Sequence, residues 1–404
     1  MKVLIVNTSE DTGGAAVAAH RLMDALTNVG GVEARMLVRP GSLRAKWSFL
    51  WERLVIFLRG GLSMRNLFKV SIANAGTDIT KSEAFREADI IHLHWVNQGF
   101  LSLKGIRKIL QSGKPVVWTM HDMWPLTAIC HHAYECDRYV TQCQDCPFLR
   151  RPSRKDLSWR VFRKKLRMLE GATNLTFVAV SEWLAGRARQ SALIGHFPIY
   201  VIPNVLSLQQ FTIVDRIDAR TALDAEERYV IAFGAARIDD SIKGFSYLVE
   251  ALRLLIEQQR VAAADVHLLL FGHVRHAEVF NTIPVRYTHL GYVDDAYRLS
   301  QVYSAANATV SSSLYETFGQ TLIEAMACGS VPVSFDGAGQ TDIISHQQNG
   351  YLATRLSAQS LADGIDWALH CQLSPQDLRR SVLRRYSETV VARQYTDLYK
   401  RTSQ

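Results

Sequence analysis

The chain has 404 residues, of which 48% are hydrophobic and 21% are charged, and its formal net charge is +8 at pH 7. This length and composition fit a globular protein with two domains of ordinary size. The sequence contains no run of about 18 apolar residues, so it predicts no transmembrane helix. The opening MKVLIVNTS predicts a first strand and not a signal peptide, so we expect a cytoplasmic protein.

The positive charge is concentrated in the first half of the chain. Residues 1–205 hold 28 Lys and Arg against 16 Asp and Glu, whereas the remainder has a net charge of −4. A basic half suits an anionic partner, such as a membrane surface, a phosphorylated substrate or a nucleic acid. An ordinary solvated surface is the alternative.

The first half predicts alternating strands and helices. Strand 2–7 leads through Gly13 and Gly14 into a helix with apolar residues at helical spacing. Further strands are predicted at 33–38, 89–94, 115–119, 175–180 and 199–202.

The second half repeats the alternation after VIPNV at 201–205 and a stretch of low hydrophobicity at 207–227. Helices are predicted at 244–259, 294–306, 318–328 and 376–401. Strands are predicted at 229–235, 266–272, 288–293, 308–313 and 331–336. Such alternation indicates two doubly wound parallel sheets.

Ligands of open parallel sheets bind outside the carboxyl ends of the strands. Several candidate residues directly follow predicted strands, so we expect them to converge on one cleft between the halves. They are Gly13, Gly14, His94, His121, Arg237, Gly272 and Glu316.

The most informative segment is 311–342, which contains two glutamates, Glu316 and Glu324, around the start of a predicted helix. A helix N-terminus attracts anions, because its first N–H groups lack partners. Eight residues of helix would span about 12 Å. One carboxylate at each end of an elongated ligand, with phosphates near the helix start, matches a sugar nucleotide.

Arg237 and Lys243 lie in the loop after the first strand of the second half. Two cations six residues apart could bind a diphosphate and stabilise it as a leaving group. A pair of surface cations is the alternative, but the glutamate segment in the same half favours the functional interpretation.

These residues resemble the GT-B-fold retaining glycosyltransferases of family 4. The resemblance runs from residue 1 to about residue 400 and is carried by an ordered set of motifs. They are Gly13–Gly14, HDMW at 121–124, IPN at 202–204, Arg237 with Lys243–Gly244, FG at 271–272, LG at 290–291, the Glu316/Glu324 pair, and ACGSVPV followed by GAGQTD.

The resemblance implies a role for each matching residue. Arg237 and Lys243 would bind the donor diphosphate, Glu316 the hydroxyls of the donor sugar, and Glu324 the ribose. His121 would position substrate near the reacting carbon, while His94 is expected to be structural. The other donor-binding positions are backbone or border positions, namely Gly13, Gly14, Gly272, Gly291, Tyr292, Val293, Phe318, Gly319 and Gln320. No catalytic metal is implied, because cations and a helix dipole would neutralise the diphosphate.

A cysteine-rich insertion at 130–147 follows HDMW and is similar to one in exopolysaccharide (colanic-acid-type) members of the family. Its spacing is C-x5-C-x6-C-x2-C, formed by Cys130, Cys136, Cys143 and Cys146. Four cysteines with an x2 pair suit a structural Zn²⁺ site. Free thiols or disulfides are the alternatives, disulfides being disfavoured in a reducing compartment.

Two basic segments could contact an anionic membrane surface. Segment 44–69 mixes tryptophan and phenylalanine with Arg and Lys, which suits an interfacial helix. Segment 150–167 is rich in Arg and Lys and could attract anionic headgroups. A buried helix and a solvated helix, respectively, are the alternatives.

The sequence thus predicts a GT-B enzyme with two doubly wound Rossmann-like domains facing a central cleft. Residues 1–205 would bind the acceptor, 206–385 the nucleotide-sugar donor, and 386–404 would form a helix packing back toward the N-terminal domain. The reaction would transfer a hexosyl unit to a growing, lipid-linked glycan of the bacterial surface, at the inner membrane face.

Rival interpretations are another GT-B enzyme such as a sugar-nucleotide epimerase, a non-enzymatic nucleotide-sugar or glycan-binding module, and a nucleic-acid-binding protein. No recognised nucleic-acid motif supports the last. The base, the sugar and the acceptor cannot be predicted from the sequence.

Overall fold

The structure is a computed structural model that describes residues 1–403. Its contacts divide the chain into two compact units. Unit 1 comprises Met1–Val205 together with the C-terminal segment from Val391, and unit 2 comprises Leu206–Val390.

Unit 1 contains one parallel sheet of six strands in the order β2-β1-β3-β4-β5-β6. The strands are β1 Lys2–Val6, β2 Glu33–Leu37, β3 Ile90–Leu93, β4 Val116–Met120, β5 Leu175–Ala179 and β6 Ile199–Val201. The α-helices are α1 Gly14–Asn28, α2 Leu43–Arg59, α3 Glu83–Glu87, α4 Leu103–Leu110, α5 Leu157–Leu169 and α6 Glu182–Arg189. Short 3-10 helices occupy Ile79–Lys81 and Arg138–Val140.

Three interior strands of unit 1, β3, β4 and β5, are buried at every residue. This is the expected pattern for parallel strands covered by helices on both faces. Serine side chains cap α4 and α6, where Ser102 and Ser181 accept hydrogen bonds from backbone N–H groups of the first helical turn.

Unit 2 contains a second parallel sheet of six strands in the order β12-β11-β10-β7-β8-β9. The strands are β7 Tyr229–Arg237, β8 Val266–His273, β9 Arg286–His289, β10 Ala308–Ser311, β11 Val331–Phe335 and β12 Tyr351–Ala353. The α-helices are α7 Arg216–Thr221, α8 Phe245–Glu257, α9 Ala296–Ala305, α10 Gln320–Ala327, α11 Ala358–His370 and α12 Pro375–Tyr386. The 3-10 helices are Ser241–Lys243, Ala263–Asp265, Ala277–Thr282 and Gly339–Asp342.

The C-terminal helical segment is interrupted once. Helix α12 ends at Tyr386 and α13 spans Glu388–Thr402, because Ser387 has an extended backbone (φ −62°, ψ 153°). The prediction of one helix over 376–401 is therefore wrong at this residue. From Val391 onward the segment packs in the core of unit 1, where Tyr395 and Tyr399 are fully buried.

The doubly wound parallel layout predicted from the sequence is confirmed, as are most strand positions. One strand is shorter than predicted, since β9 ends at His289 and the chain then turns through Gly291 at φ 71°. Strand β12 and helix α11 were not predicted. Among the described residues, no helix combines the length and the apolarity needed to cross a membrane.

Candidate functional site

The carboxyl ends of the unit 2 strands carry most of the predicted donor-binding residues. Arg237 is the last residue of β7, Gly272 lies near the end of β8, and Glu316 follows the end of β10. Because these strands are parallel, their ends meet at one edge of the sheet. We call Arg237, Lys243, Glu316, the start of α10 and Glu324 the C-terminal set.

Two loops of the C-terminal set are joined directly. The Ser312 hydroxyl, just after β10, donates to the carbonyls of Gly244 at 2.9 Å and Lys243 at 3.2 Å. The Leu314 N–H donates to the Ile242 carbonyl at 2.8 Å. These bonds hold the lysine loop against the segment that leads to Glu316.

Glycine is required at position 244 for two reasons. Its φ is +65°, which side chains with a Cβ rarely adopt, and an added Cβ would lie 2.0 Å from the Ser312 carbonyl oxygen. The close approach of these loops therefore depends on the missing side chain.

Lys243 and Glu316 form an ion pair, with Nζ 3.0 Å from Oε2. Their side chains are 30% and 21% exposed, so both groups remain accessible to a ligand. Arg237 lies beside two carboxylates, with Nη2 2.8 Å from Asp240 and Nε 3.5 Å from Asp239. The two predicted phosphate ligands are thus each held by a carboxylate.

Helix α10 begins at Gln320, and its N-cap residue is Gly319 at φ 113°, which has no side chain. The start of a helix attracts anions through the N–H groups of its first turn. The separation of Glu316 and Glu324 does not arise from eight residues of helix, as the sequence predicted, because residues 316–319 form an irregular turn.

Glu324 lies within α10 and is only 6% exposed. One carboxylate oxygen accepts a hydrogen bond from the Tyr303 hydroxyl at 3.1 Å. This bond, donated from α9, fixes the orientation of the carboxylate. It could not be predicted from the sequence, since tyrosine is common in helix cores.

The segment predicted to border the nucleobase lies beside the end of β8. The Gly272 N–H donates to the Gly291 carbonyl at 2.7 Å, and a Cβ on Gly272 would lie 1.8 Å from the Ala235 carbonyl. Tyr292 is half exposed and stacks on His273, with ring centroids 4.7 Å apart and planes 3° from parallel. The sequence did not predict this stacked pair, which presents a flat surface to solvent.

In unit 1 the predicted residues again follow strands. Gly13 caps α1 with φ 94°, and an added Cβ on Gly13 or Gly14 would find no atom within 4 Å. The space beside these two glycines is therefore open in this structure. Whether it binds a donor remains a prediction.

His121 follows β4 and contacts a second histidine. Its Nε2 lies 2.8 Å from Nδ1 of His94, which follows the neighbouring strand β3. Burial lowers the pKa of His121 to about 4 and holds the pKa of His94 well below its usual value. Both rings are consequently neutral near pH 7.

The contact assigns a tautomer to the pair. Nε2 of His94 is buried and has no hydrogen-bond partner. An unpaired lone pair costs less than an unpaired N–H, so His94 carries its proton on Nδ1 and donates to His121. His121 then carries its own proton on Nδ1. His94, expected to be structural, thus orients the predicted substrate-positioning residue.

The aspartate of the HDMW motif accepts hydrogen bonds from neighbouring groups and does not face solvent. Asp122 accepts from Trp95 Nε1 at 2.7 Å and from the Trp124 N–H at 2.8 Å, and lies 2.6 Å from His131. Burial by itself would raise the pKa of Asp122, but His131 and the Trp124 N–H outweigh it and lower the pKa to about 2. The carboxylate is therefore ionised at neutral pH.

The four cysteines of the insertion are free thiols in this structure. Burial raises the pKa of Cys130, Cys143 and Cys146 to about 12, and neighbouring thiols add to each shift. Within residues 1–403, no group of three or more His, Cys, Asp or Glu side chains is arranged to hold a metal ion. The structural zinc stays a prediction.

Two family models match the chain. The model of "Glycosyltransferase Family 4" matches residues 12–210, and that of "Glycosyl transferases group 1" matches residues 215–385. The chain belongs to glycosyltransferase family 4. It is therefore a transferase with the GT-B fold, as the sequence predicted.

The chain is similar to two curated glycosyltransferases. It is 26% identical to the phosphatidyl-myo-inositol mannosyltransferase of Mycobacterium tuberculosis (strain CDC 1551 / Oshkosh), over 80% of this chain and 76% of the relative. It is 22% identical to the putative colanic acid biosynthesis glycosyl transferase WcaC of Escherichia coli (strain K12), over 60% of this chain and 58% of the relative.

A solved structure shares the fold across both units. The crystal structure of Anabaena Alr3699/HepE in complex with UDP and glucose has a TM-score of 0.64 and 16% identity, covering 99% of this chain and 100% of that one. At this identity the likeness concerns the fold alone.

Proposed function

We propose that this glycosyltransferase moves a hexosyl unit from a nucleotide diphosphate sugar to a growing, lipid-linked glycan, with retention of anomeric configuration. The observation that carries the proposal is the Lys243–Glu316 ion pair at 3.0 Å, next to the start of α10, whose N-cap residue is Gly319. Within one unit, this arrangement brings together a lysine that could bind phosphate, a glutamate that could accept hydrogen bonds from hydroxyls, and a helix end that attracts anions.

The donor diphosphate would interact with Arg237, Lys243 and the first N–H groups of α10. Negative charge develops on the diphosphate as the sugar departs, and fixed cations and N–H groups stabilise that charge without a metal ion. Glu316 would accept hydrogen bonds from sugar hydroxyls, and Glu324 from the ribose.

The bond changes follow from retention. The bond from the anomeric carbon to the phosphate oxygen breaks, and a bond from the acceptor oxygen to the same carbon forms on the same face. The acceptor hydroxyl gives its proton to the departing phosphate. His121, neutral because of its burial, would position substrate and need not act as a base.

The acceptor and the location are proposed from the charge of the chain. Residues 1–205 are strongly basic, which suits a lipid-linked acceptor with a phosphate group at an anionic membrane. Surface polysaccharide assembly at the inner face of the cytoplasmic membrane is consistent with the colanic acid relative.

The first experiment is a thermal-shift screen against UDP, GDP, ADP and their sugars. A ligand at 100 times its Kd stabilises the folded protein by about 2.7 kcal/mol, so the right nucleotide should stand out. Incubation of the protein with that sugar nucleotide and with membrane extracts should then release the nucleoside diphosphate. Stabilisation by none of the nucleotides would contradict the proposal.

A further inference from the structure

Helix α2 presents an apolar stripe to solvent. Six of its residues recur at helical spacing, and each is between 46% and 75% exposed. They are Leu43, Trp47, Leu50, Trp51, Leu54 and Leu58. The stripe continues into the following loop, where Leu62, Met64 and Phe68 are at least 58% exposed. We call these nine residues the apolar face.

The opposite side of α2 is buried and carries two charged residues, Glu52 and Arg53, beside the apolar Ala45 and Ile56. Glu52 is fully buried and accepts from the N–H groups of Ile72 and Ala73, both at 2.7 Å. Arg53 is 6% exposed, donates to the carbonyls of Leu67 and Val70, and lies 3.3 Å from Glu52.

These buried bonds fix the rotation of the helix. Turning α2 so that its tryptophans face the core would move Glu52 and Arg53 away from the buried N–H groups of Ile72 and Ala73 and the carbonyls of Leu67 and Val70. Leaving those buried backbone groups without partners is costly. The exposure of the apolar face is therefore built into the fold of unit 1.

A basic groove adjoins the C-terminal end of the apolar face. It has a volume of about 430 Å³ and is bordered by Leu58 and Leu62 on one side and residues 149–160 on the other. Five cations line it, namely Arg59, Arg150, Arg151, Lys155 and Arg160. Its one acidic residue, Asp156, already accepts from Cys146, Ser158 and Trp159.

The two sides of the groove are tied together. The Arg150 guanidinium donates to the Gly61 carbonyl at 3.0 Å, and its side chain packs where a Cβ on Gly61 would lie. The two basic segments of the sequence thus form one continuous surface.

We propose that the apolar face and the basic groove together bind an anionic phospholipid membrane, with the apolar side chains in the interface and a headgroup phosphate in the groove. The inference deepens the proposed function, because it names the surface that would bring a lipid-linked acceptor to the enzyme. Interfacial helices of this kind combine buried apolar area with attraction to anionic lipids.

A second copy of the chain suits this surface less well. Self-association through the same patch would bring two basic grooves close together, and like charges oppose such an interface. An anionic bilayer supplies the complementary charge and covers the apolar residues at once.

The test is sedimentation of the full chain with vesicles of phosphatidylcholine alone or with about one-third phosphatidylglycerol. We expect binding to the anionic vesicles that weakens as salt rises. Trp47→Ser with Trp51→Ser should abolish this binding. Arg151→Gln with Arg160→Gln should weaken it roughly fivefold per cation.

Matched controls are available in the chain. Ile217 and Tyr297 are as exposed as the tryptophans but lie in unit 2, so Ile217→Ser with Tyr297→Ser should leave vesicle binding unchanged. Arg163→Gln with Lys164→Gln removes two exposed charges of α5 that do not line the groove, and should reduce binding less than the groove pair.

Equal binding to both kinds of vesicle, or binding unaffected by the tryptophan substitutions, would overturn the proposal. Sedimentation velocity showing a dimer that the same substitutions dissociate would assign the face to a second copy instead. Nucleotide binding by the tryptophan variant, measured by thermal shift, reports on the proposed reaction separately, so either proposal can fail alone.

Discussion

Lys243 and Glu316 lie 3.0 Å apart at the carboxyl edge of the unit 2 sheet, although 73 residues separate them in sequence. Ser312 and Gly244 bring them together by joining the two loops. Each partner keeps the other oriented, so a sugar nucleotide would meet a preorganised cation and acceptor.

Replacing Glu316 tests its role toward the donor sugar. Glu316→Gln should lower kcat/KM by roughly tenfold to 150-fold, since a hydrogen bond to a charged group contributes about 1.5–3 kcal/mol. Steady-state kinetics would measure this. Glu250→Gln, which breaks an exposed ion pair with Arg253 elsewhere in unit 2, is the control and should leave kcat/KM unchanged.

Gly244→Ala tests the loop contact. The added Cβ would collide with the Ser312 carbonyl and require a left-handed backbone, so unfolding free energy should fall by about 1–3 kcal/mol and transfer activity should drop. Gly186→Ala in α6, where a Cβ would meet nothing within 4 Å, should instead be neutral or slightly stabilising. If urea denaturation and activity assays show no effect of Gly244→Ala, glycine is not required at this position.

Tyr303→Phe tests the support of Glu324. Losing this hydrogen bond at 3.1 Å leaves the buried carboxylate less fixed. We expect nucleotide affinity to weaken severalfold by calorimetry, as for loss of about 1 kcal/mol. Tyr297→Phe, on the exposed side of the same helix, should have no effect. Unaltered affinity in Tyr303→Phe would mean that Glu324 does not need this bond.

The buried histidines predict a pH dependence of stability. Burial lowers the pKa of His92 to about 3 and that of His121 to about 4, from 6.5 when unfolded. Below pH 6.5 the unfolded chain binds more protons than the folded one, so stability should fall as the pH drops toward 4. Each histidine contributes about 1.4 kcal/mol per pH unit in that window.

Urea unfolding from about pH 7 to about pH 5 measures this slope. His121→Gln should make it shallower, while His346→Gln, an exposed position in unit 2, should not. Equal slopes for the protein and His121→Gln would show that the pKa of His121 is not lowered in the folded protein.

Elemental analysis tests the predicted zinc. The Phe148 N–H donates a hydrogen bond to the Cys146 sulfur, and the Ala128 N–H donates one to the Cys143 sulfur. Such hydrogen bonds would also stabilise metal-bound thiolates. The prediction is one zinc per chain, lost in Cys143→Ser and retained in Cys371→Ser. Protein purified without chelator but containing no zinc would show that the cysteines act only as buried thiols.

The sheets and the C-terminal set could be predicted because apolar strand runs and polar residues at strand ends are local signals. The interruption at Ser387 and the early end of β9 could not be predicted, because they depend on single backbone angles. The His94–His121 contact and the Tyr303–Glu324 bond join residues far apart in sequence.

Helix α2 shows the same limit most clearly. Its mixture of aromatic and basic residues is visible in the sequence, and a buried helix was the alternative to an interfacial one. Only the partners of Glu52 and Arg53, supplied by residues 67–73, explain why these two charged residues face inward. Pattern identifies the two faces of a helix, and long-range contacts decide which one is buried.

The central claim is that Lys243 and Arg237 bind the donor diphosphate. Its most direct test is calorimetric titration of the nucleoside diphosphate identified by the screen into the protein and into Lys243→Met and Arg237→Met variants. The account predicts at least a tenfold rise in Kd for each variant, as expected for loss of about 1.5–3 kcal/mol, with Arg253→Met unchanged. Undiminished affinity in both variants would contradict it.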